Sequence, residues 1–292
     1  MIRVSRVILA IGLLILTHLT ICYAGPPFNN LEGVGGVAFN PLAYTAGTSV
    51  TPRDDTLSWK EIFSEPPPHV DILAKPQIGA WYIRLPDAAK NGADWTTLSV
   101  ADSFFFKRFE VSFGYENVNL SEVKNVHKYS VGTKVLLVKE NYLDMTFIPA
   151  VSLGAIYKDT SYSPGFHPSG WDFYGVATKT ITQLPVPVLL SAGVLATRGV
   201  ATGVLGFASD YDITWFGNID FIPIKQVVIG FEYKQGAHFN AMKNADYFNI
   251  HAAWLVTRSL SLIGAYVNAG NENSTSELGL GDGVVLSAQY AF

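Results

Sequence analysis

The sequence predicts an all-β fold, an antiparallel transmembrane β-barrel of about twelve strands (about ten to fourteen) behind a glycine- and proline-rich N-terminal segment. Three observations carry that expectation. Apolar and polar residues alternate with a period of two through one segment after another. The alternating segments run to about ten residues, longer than the five or six usual in globular sheets and suited to a tilted crossing of a bilayer. The breaks between them are short and long by turns, as periplasmic turns and external loops are in outer-membrane barrels.

Taken in order, residues 1–24 read as a secretory signal peptide. Arg3 and Arg6 precede the apolar run Val7–Leu16, and Cys22 and Ala24 occupy the small-residue positions of a cleavage site. Ten apolar residues are half of the roughly twenty that a spanning helix needs. Ile21 before Cys22 argues against a lipid-modified cysteine. Cleavage removes the one cysteine, and with it disulfide and thiol chemistry, and moves the formal net charge from −4 to −6. That mildly acidic, scattered charge gives no footprint for nucleic acid.

Residues 25–75 are expected to form a plug or a periplasmic extension. Gly33, Gly35, Gly36, Asn40 and Pro41 are the plug candidates, because glycines permit close passage against other backbone. Three successive prolines, Pro66, Pro67 and Pro68, stop any regular element. The G-x-G-x-x-A spacing of Gly33, Gly35 and Ala38 lacks the strand and βαβ unit of a dinucleotide site.

Residues 76–292 are the barrel. In "RFEVSFGYEN", Phe109, Val111, Phe113 and Tyr115 alternate with Glu110, Ser112, Gly114 and Glu116. The same pattern places strands near 76–85, 94–103, 106–117, 128–138, 143–158, 172–182, 187–198, 211–222, 226–235, 246–256, 259–268 and 283–292. Charge tests it: a Lys or Arg facing lipid at mid-depth costs about 2–4 kcal/mol, and one facing water in a lumen costs little. The lumen-lining candidates are therefore Glu110, Glu116, Lys134, Lys179, Asp220, Glu232, Lys234, His251 and Gln289. Lys179 is included by phasing its strand so as to hide it, Asp102 sits awkwardly on an apolar row, and Pro149 is expected at a bulge. Aromatic residues near strand ends, among them Trp81, Trp95, Tyr157, Trp171, Trp254 and Tyr290, suit interfacial girdles.

The last strand has Val284, Leu286, Ala288, Tyr290 and Phe292 on one row and resembles the recognition signal taken up by the barrel-assembly machinery. The expected partners are that machinery and periplasmic chaperones during biogenesis, outer-membrane lipid, and a small solute. The expected location is the bacterial outer membrane.

The segment Leu31–Tyr44, "LEGVGGVAFNPLAY", ahead of a barrel-like remainder, resembles a family of uncharacterised Gram-negative outer-membrane proteins known as a domain of unknown function. The resemblance brings no catalytic or binding residues. Its "FNPLAY" portion is also similar to the Asn-Pro of the N-terminal hatch in long-chain fatty-acid channels, without implying their substrate.

No nucleophile elbow, zinc-protease motif or phosphate loop is present, no histidine is paired at ligand spacing, and nothing calls for a metal or cofactor. "GLGDG" offers one aspartate, a poor site for a hard cation. The function expected is a passive channel for small neutral or apolar solutes. The alternatives are a non-conducting structural or surface-binding barrel and, third, a lipid hydrolase using His251 with Ser261 nearby.

Overall fold

A computed structural model describes residues 40–46 and 76–291, apart from 89–91, 106–107, 121–124, 225, 241, 258–259, 272 and 275. The signal peptide, Gly33, Gly35, Gly36 and Phe292 lie outside the described residues. Fourteen strands follow one another: β1 Gln77–Leu85, β2 Ala93–Phe104, β3 Phe109–Leu120, β4 Val126–Val138, β5 Ala150–Thr160, β6 Ser169–Ile181, β7 Val188–Gly199, β8 Phe207–Ile224, β9 Val227–Lys234, β10 His238–Phe239, β11 Met242–Lys243, β12 Tyr247–Leu255, β13 Leu260–Asn268 and β14 Asp282–Ala291. Twelve of them close into an antiparallel barrel, while β10 and β11 form a small hairpin in one loop. Closure is made by β1 against β14, with Gln77 opposite Ala291 and Arg84 opposite Val284. Closing the ring removes the edges that an open sheet of this kind would expose.

The twelve segments read from the alternation all appear as barrel strands, and two details change. The fifth begins at Ala150 rather than 143. Residues 139–149 form a wider turn in which Asn141, Leu143 and Asp144 take positive φ, and the ring of Pro149 closes this turn instead of marking a bulge. A register irregularity with a proline falls between Phe221 and Ile224, where Pro223 has no donor for the ladder.

Each barrel strand has two rows. The outward row is apolar at mid-height, as at Leu98 (58% exposed), Phe113 (54%) and Ile250 (55%). A continuous belt of this size calls for hydrocarbon around it rather than water. Charged residues on the outward row keep to strand ends: Arg84 pairs with Asp94 at 2.7 Å, and Asp102 lies two residues from the end of β2. Aromatic side chains run side by side around the long-loop end, through Tyr115–Tyr129, Tyr157–Trp171, Trp171–Phe173 and Phe173–Tyr211. Trp81 and Trp95 are not in that girdle. They point inward and are buried, because Tyr82 and Asp94 beside them take the outward positions.

Candidate functional site

The inward rows meet in a lumen filled from both ends. Glu110, Glu116, Lys134, Asp220, Glu232, Lys234, His251 and Gln289 all lie on inward rows and are buried. Alternation places them there, and cross-strand registry pairs them: Glu110 faces Lys134 and Glu116 faces Lys128 on β3 and β4. Their charged atoms are 3.1 Å apart in both pairs. Lys158 on β5 meets Asp172 on β6 at 2.6 Å. On the far wall His251 Nε2 lies 2.8 Å from Asp220 Oδ1 and its Nδ1 lies 2.7 Å from Asn249 Oδ1, while Asn249 Nδ2 donates to Glu232 at 2.8 Å. A buried charge is tolerated when paired and hydrogen-bonded, and these are. Lys128, Lys158 and Asp172 are partners that alternation can supply; phasing the sixth strand to hide Lys179 turns Asp172 outward and conceals its pairing with Lys158 on the fifth.

Lys179 departs from expectation. Asp172, Tyr174, Thr178 and Thr180 are the buried row of β6, which puts Lys179 on the outward row. It sits two residues from the strand end, so its long stem carries the ammonium to the rim, where it meets Glu140 at 2.9 Å and Asn141 Oδ1 at 2.6 Å. His127 is the second residue of β4 and is bonded outside the barrel to Tyr115 OH at 2.8 Å.

Residues 40–46 cross this lumen. Asn40 Nδ2 donates to the main-chain oxygens of Gly217 on β8 (3.0 Å) and Tyr233 on β9 (2.9 Å). Six residues later, Ala46 N donates to Glu110 on β3 (2.7 Å) and its oxygen accepts from Ser103 on β2. In the ring of twelve, β2–β3 and β8–β9 are opposite each other, so the segment spans a diameter. Six extended residues reach about 20 Å, enough for that crossing. Between these anchors Ala43 N donates to Thr178 Oγ1 at 2.8 Å, Ser152 donates to Ala43 O, and Tyr44 OH donates to Glu140. Burial, and then the Glu140 carboxylate, hold the Tyr44 phenol well above its ordinary range, so it remains a donor. Leu42 and Ala43 pack with Ile156, Tyr174, Leu195 and Phe216 in one apolar cluster.

The long-loop end is closed differently. Residues 200–206, between β7 and β8, turn inward, and Val200, Ala201, Thr202 and Gly203 are buried. Ala201 and Val204 belong to the same buried cluster as Trp81 and Trp95, with Leu278 and Leu280 of another loop packed against it. Between the two closures lie two adjoining cavities of about 10 Å³ each, both lined by Asp172 and Lys234; one reaches Asn40 and Pro41, the other Thr202 and Tyr247. Among the described residues no cluster of side chains could hold a metal ion.

The fold has solved counterparts. The chain is similar to the KdgM porin at 13% identity, over 74% of this chain and 99% of that one, with a TM-score of 0.52. The same porin in complex with disordered oligogalacturonate gives 13% identity, 74% and 99% coverage and a TM-score of 0.51. The Acinetobacter baumannii outer membrane protein Omp33 is similar at 12% identity, over 75% and 97% of the two chains, with a TM-score of 0.44. No curated protein sequence matches the chain. The two KdgM structures share with this chain the fold of a closed β-barrel. Residues 88–289, more than half of the chain and beginning beyond Leu31–Tyr44, match the family described as Protein of unknown function (DUF3034), and the chain belongs to that family.

Proposed function

We propose that the protein is an outer-membrane channel for small polar solutes, closed at its short-turn end by its own residues 40–46. The observation that carries this is the seat of that segment: its main-chain groups are bonded to wall side chains, Ala43 to Thr178 and Ala46 to Glu110. A covalent part of the wall would have been the simpler way to fill a permanent core. A tethered strand held by side-chain hydrogen bonds can leave, and the wall it uncovers is hydrophilic, which favours polar over apolar solutes. In this reading residues 1–24 export the chain and are removed.

A second reading is a sealed barrel that acts only through its loops. The closeness of the packing favours it, because cavities of about 10 Å³ pass nothing larger than water. The hydrolase reading is the weakest. His251 turns into the lumen, away from lipid, and Ser261 stands opposite Leu255, four residues further along β12 than His251.

Planar-bilayer recording decides between channel and sealed barrel. The full chain should open rarely, and deletion of residues 25–75 should give larger or longer conductance steps. Silence from that deletion, and from one that also lacks residues 201–205, overturns the channel.

A further inference from the structure

We infer that residues 200–206 are a lid over a chamber that receives a small hydroxylated solute, an uncharged polyol of sugar size or less; this rests on the channel reading above. The lid is held by separable contacts. Lys128 Nζ donates to Thr202 O at 3.0 Å and Thr160 Oγ1 donates to Val204 O at 3.1 Å. Asn244 grips both sides of the turn, accepting from Ala201 N at 3.2 Å and donating to Gly199 O at 3.1 Å. Its backbone is strained: Ala201 and Thr202 have φ of 47° and 57°, followed by Gly203 at 90°. Two successive side-chain-bearing residues in the left-handed region persist only where their surroundings hold them, and such strain gathers at clamps and switches.

The lid also leaves polar groups unanswered. Asp172 Oδ1, Thr202 Oγ1 and Tyr247 OH are buried without a hydrogen-bond partner, and all three residues line the cavity under the lid. Buried polar atoms are nearly always paired, so three facing one space mark a place for a ligand or for ordered water. The cavity admits one water with the lid down; lifting the lid enlarges it.

The chemistry of the wall selects the class of ligand. An anion would meet the Asp172 carboxylate, a cation would meet Lys234, and an apolar molecule would leave the three polar atoms bare. A hydroxyl group both donates and accepts, so it serves a carboxylate oxygen, an ammonium and a phenol alike. Thr202 already places one such hydroxyl there, so the lid occupies the space that a polyol would fill.

The test uses the mature chain lacking residues 25–75, reconstituted in planar bilayers, with heat-modifiable migration in detergent gels to verify folding. Replacing residues 201–205 by two glycines should raise mean current roughly fivefold or more, and Asn244→Ala should raise it less, since only the two bonds of Asn244 are lost. Equal currents in all three folded proteins overturn the lid while the channel stands; silence in all three defeats the channel itself. D-Glucose should block the current, and Tyr247→Phe should raise its half-blocking concentration roughly 2- to 10-fold. No block by glucose, a block untouched by Tyr247→Phe, or a stronger block by acetate or choline overturns the polyol site.

Discussion

Two regions close the same lumen with similar bonds and different backbone strain. At the short-turn end, residues 40–46 are bound by directional contacts: Glu110 and Thr178 accept main-chain N–H groups, and Ser103 and Ser152 donate to main-chain oxygens. At the long-loop end, residues 200–206 are held by hydrogen bonds from Lys128, Thr160 and Asn244 together with burial of Ala201 and Val204 in the cluster that contains the two indoles, over a backbone forced into the left-handed region. Both closures combine directional bonds with apolar packing, but only the second has side-chain-bearing residues in the left-handed region. The difference teaches that either closure can open by exchanging side-chain hydrogen bonds with water, while the lid alone gains relief of backbone strain when it does.

Substitutions can break that contrast, beginning with the largest. Glu110→Ala removes the acceptor of Ala46 N and leaves Lys134 buried beside it without this partner. The expected loss is about 3–5 kcal/mol, read as a lower unfolding temperature in detergent, and Glu110→Gln should lose less. A loss under about 1 kcal/mol would mean that the pair is far more hydrated than its burial implies.

Phe113→Lys is a control on the opposite face, since Phe113 lies at the middle of β3 on the outward row. It should destabilise the barrel in lipid by about 2–4 kcal/mol, and a neutral result from urea titration in vesicles would contradict the lipid-facing assignment.

Thr178→Val strips the acceptor from Ala43 N at constant side-chain shape. The buried N–H left behind costs about 1–3 kcal/mol, so the plug should loosen and channel openings become more frequent. An unchanged opening frequency would show that this bond does not hold the segment.

Thr202→Gly has the smallest effect and the opposite sign. Glycine accepts the left-handed backbone at little cost, so the lid should close more firmly, by about 1 kcal/mol, and conductance of the plug-deleted protein should fall. An increase instead would show that Thr202 contributes more by its contacts than it loses by its backbone.

Much of this architecture was legible in the amino-acid order. Alternation marked all twelve barrel strands, and eight of the nine lumen candidates point inward, because a charge on the lipid side is costly at mid-depth and the period of two admits only two phases. The same rule misled at Lys179. Near a strand end a long cationic stem reaches the interface from the outward row, so the penalty that makes the phase readable vanishes there, and the pairing of Lys158 with Asp172 is concealed. Trp81 and Trp95 depart from expectation for a related reason: an indole suits an interface and a packed interior equally, and here Tyr82 and Asp94 take the outward positions beside them.

What no local pattern could supply is the company each inward residue keeps. Asn40 and Ala46 meet opposite walls only after β1 has closed on β14, and residues 200–206 become a lid only because that ring leaves a mouth to fill. Alternation is a property of neighbours along the chain, set by the solvent on each face of a strand. The two closures depend on hydrogen bonds between residues from 43 to 193 positions apart in sequence, which exist only once the ring is complete.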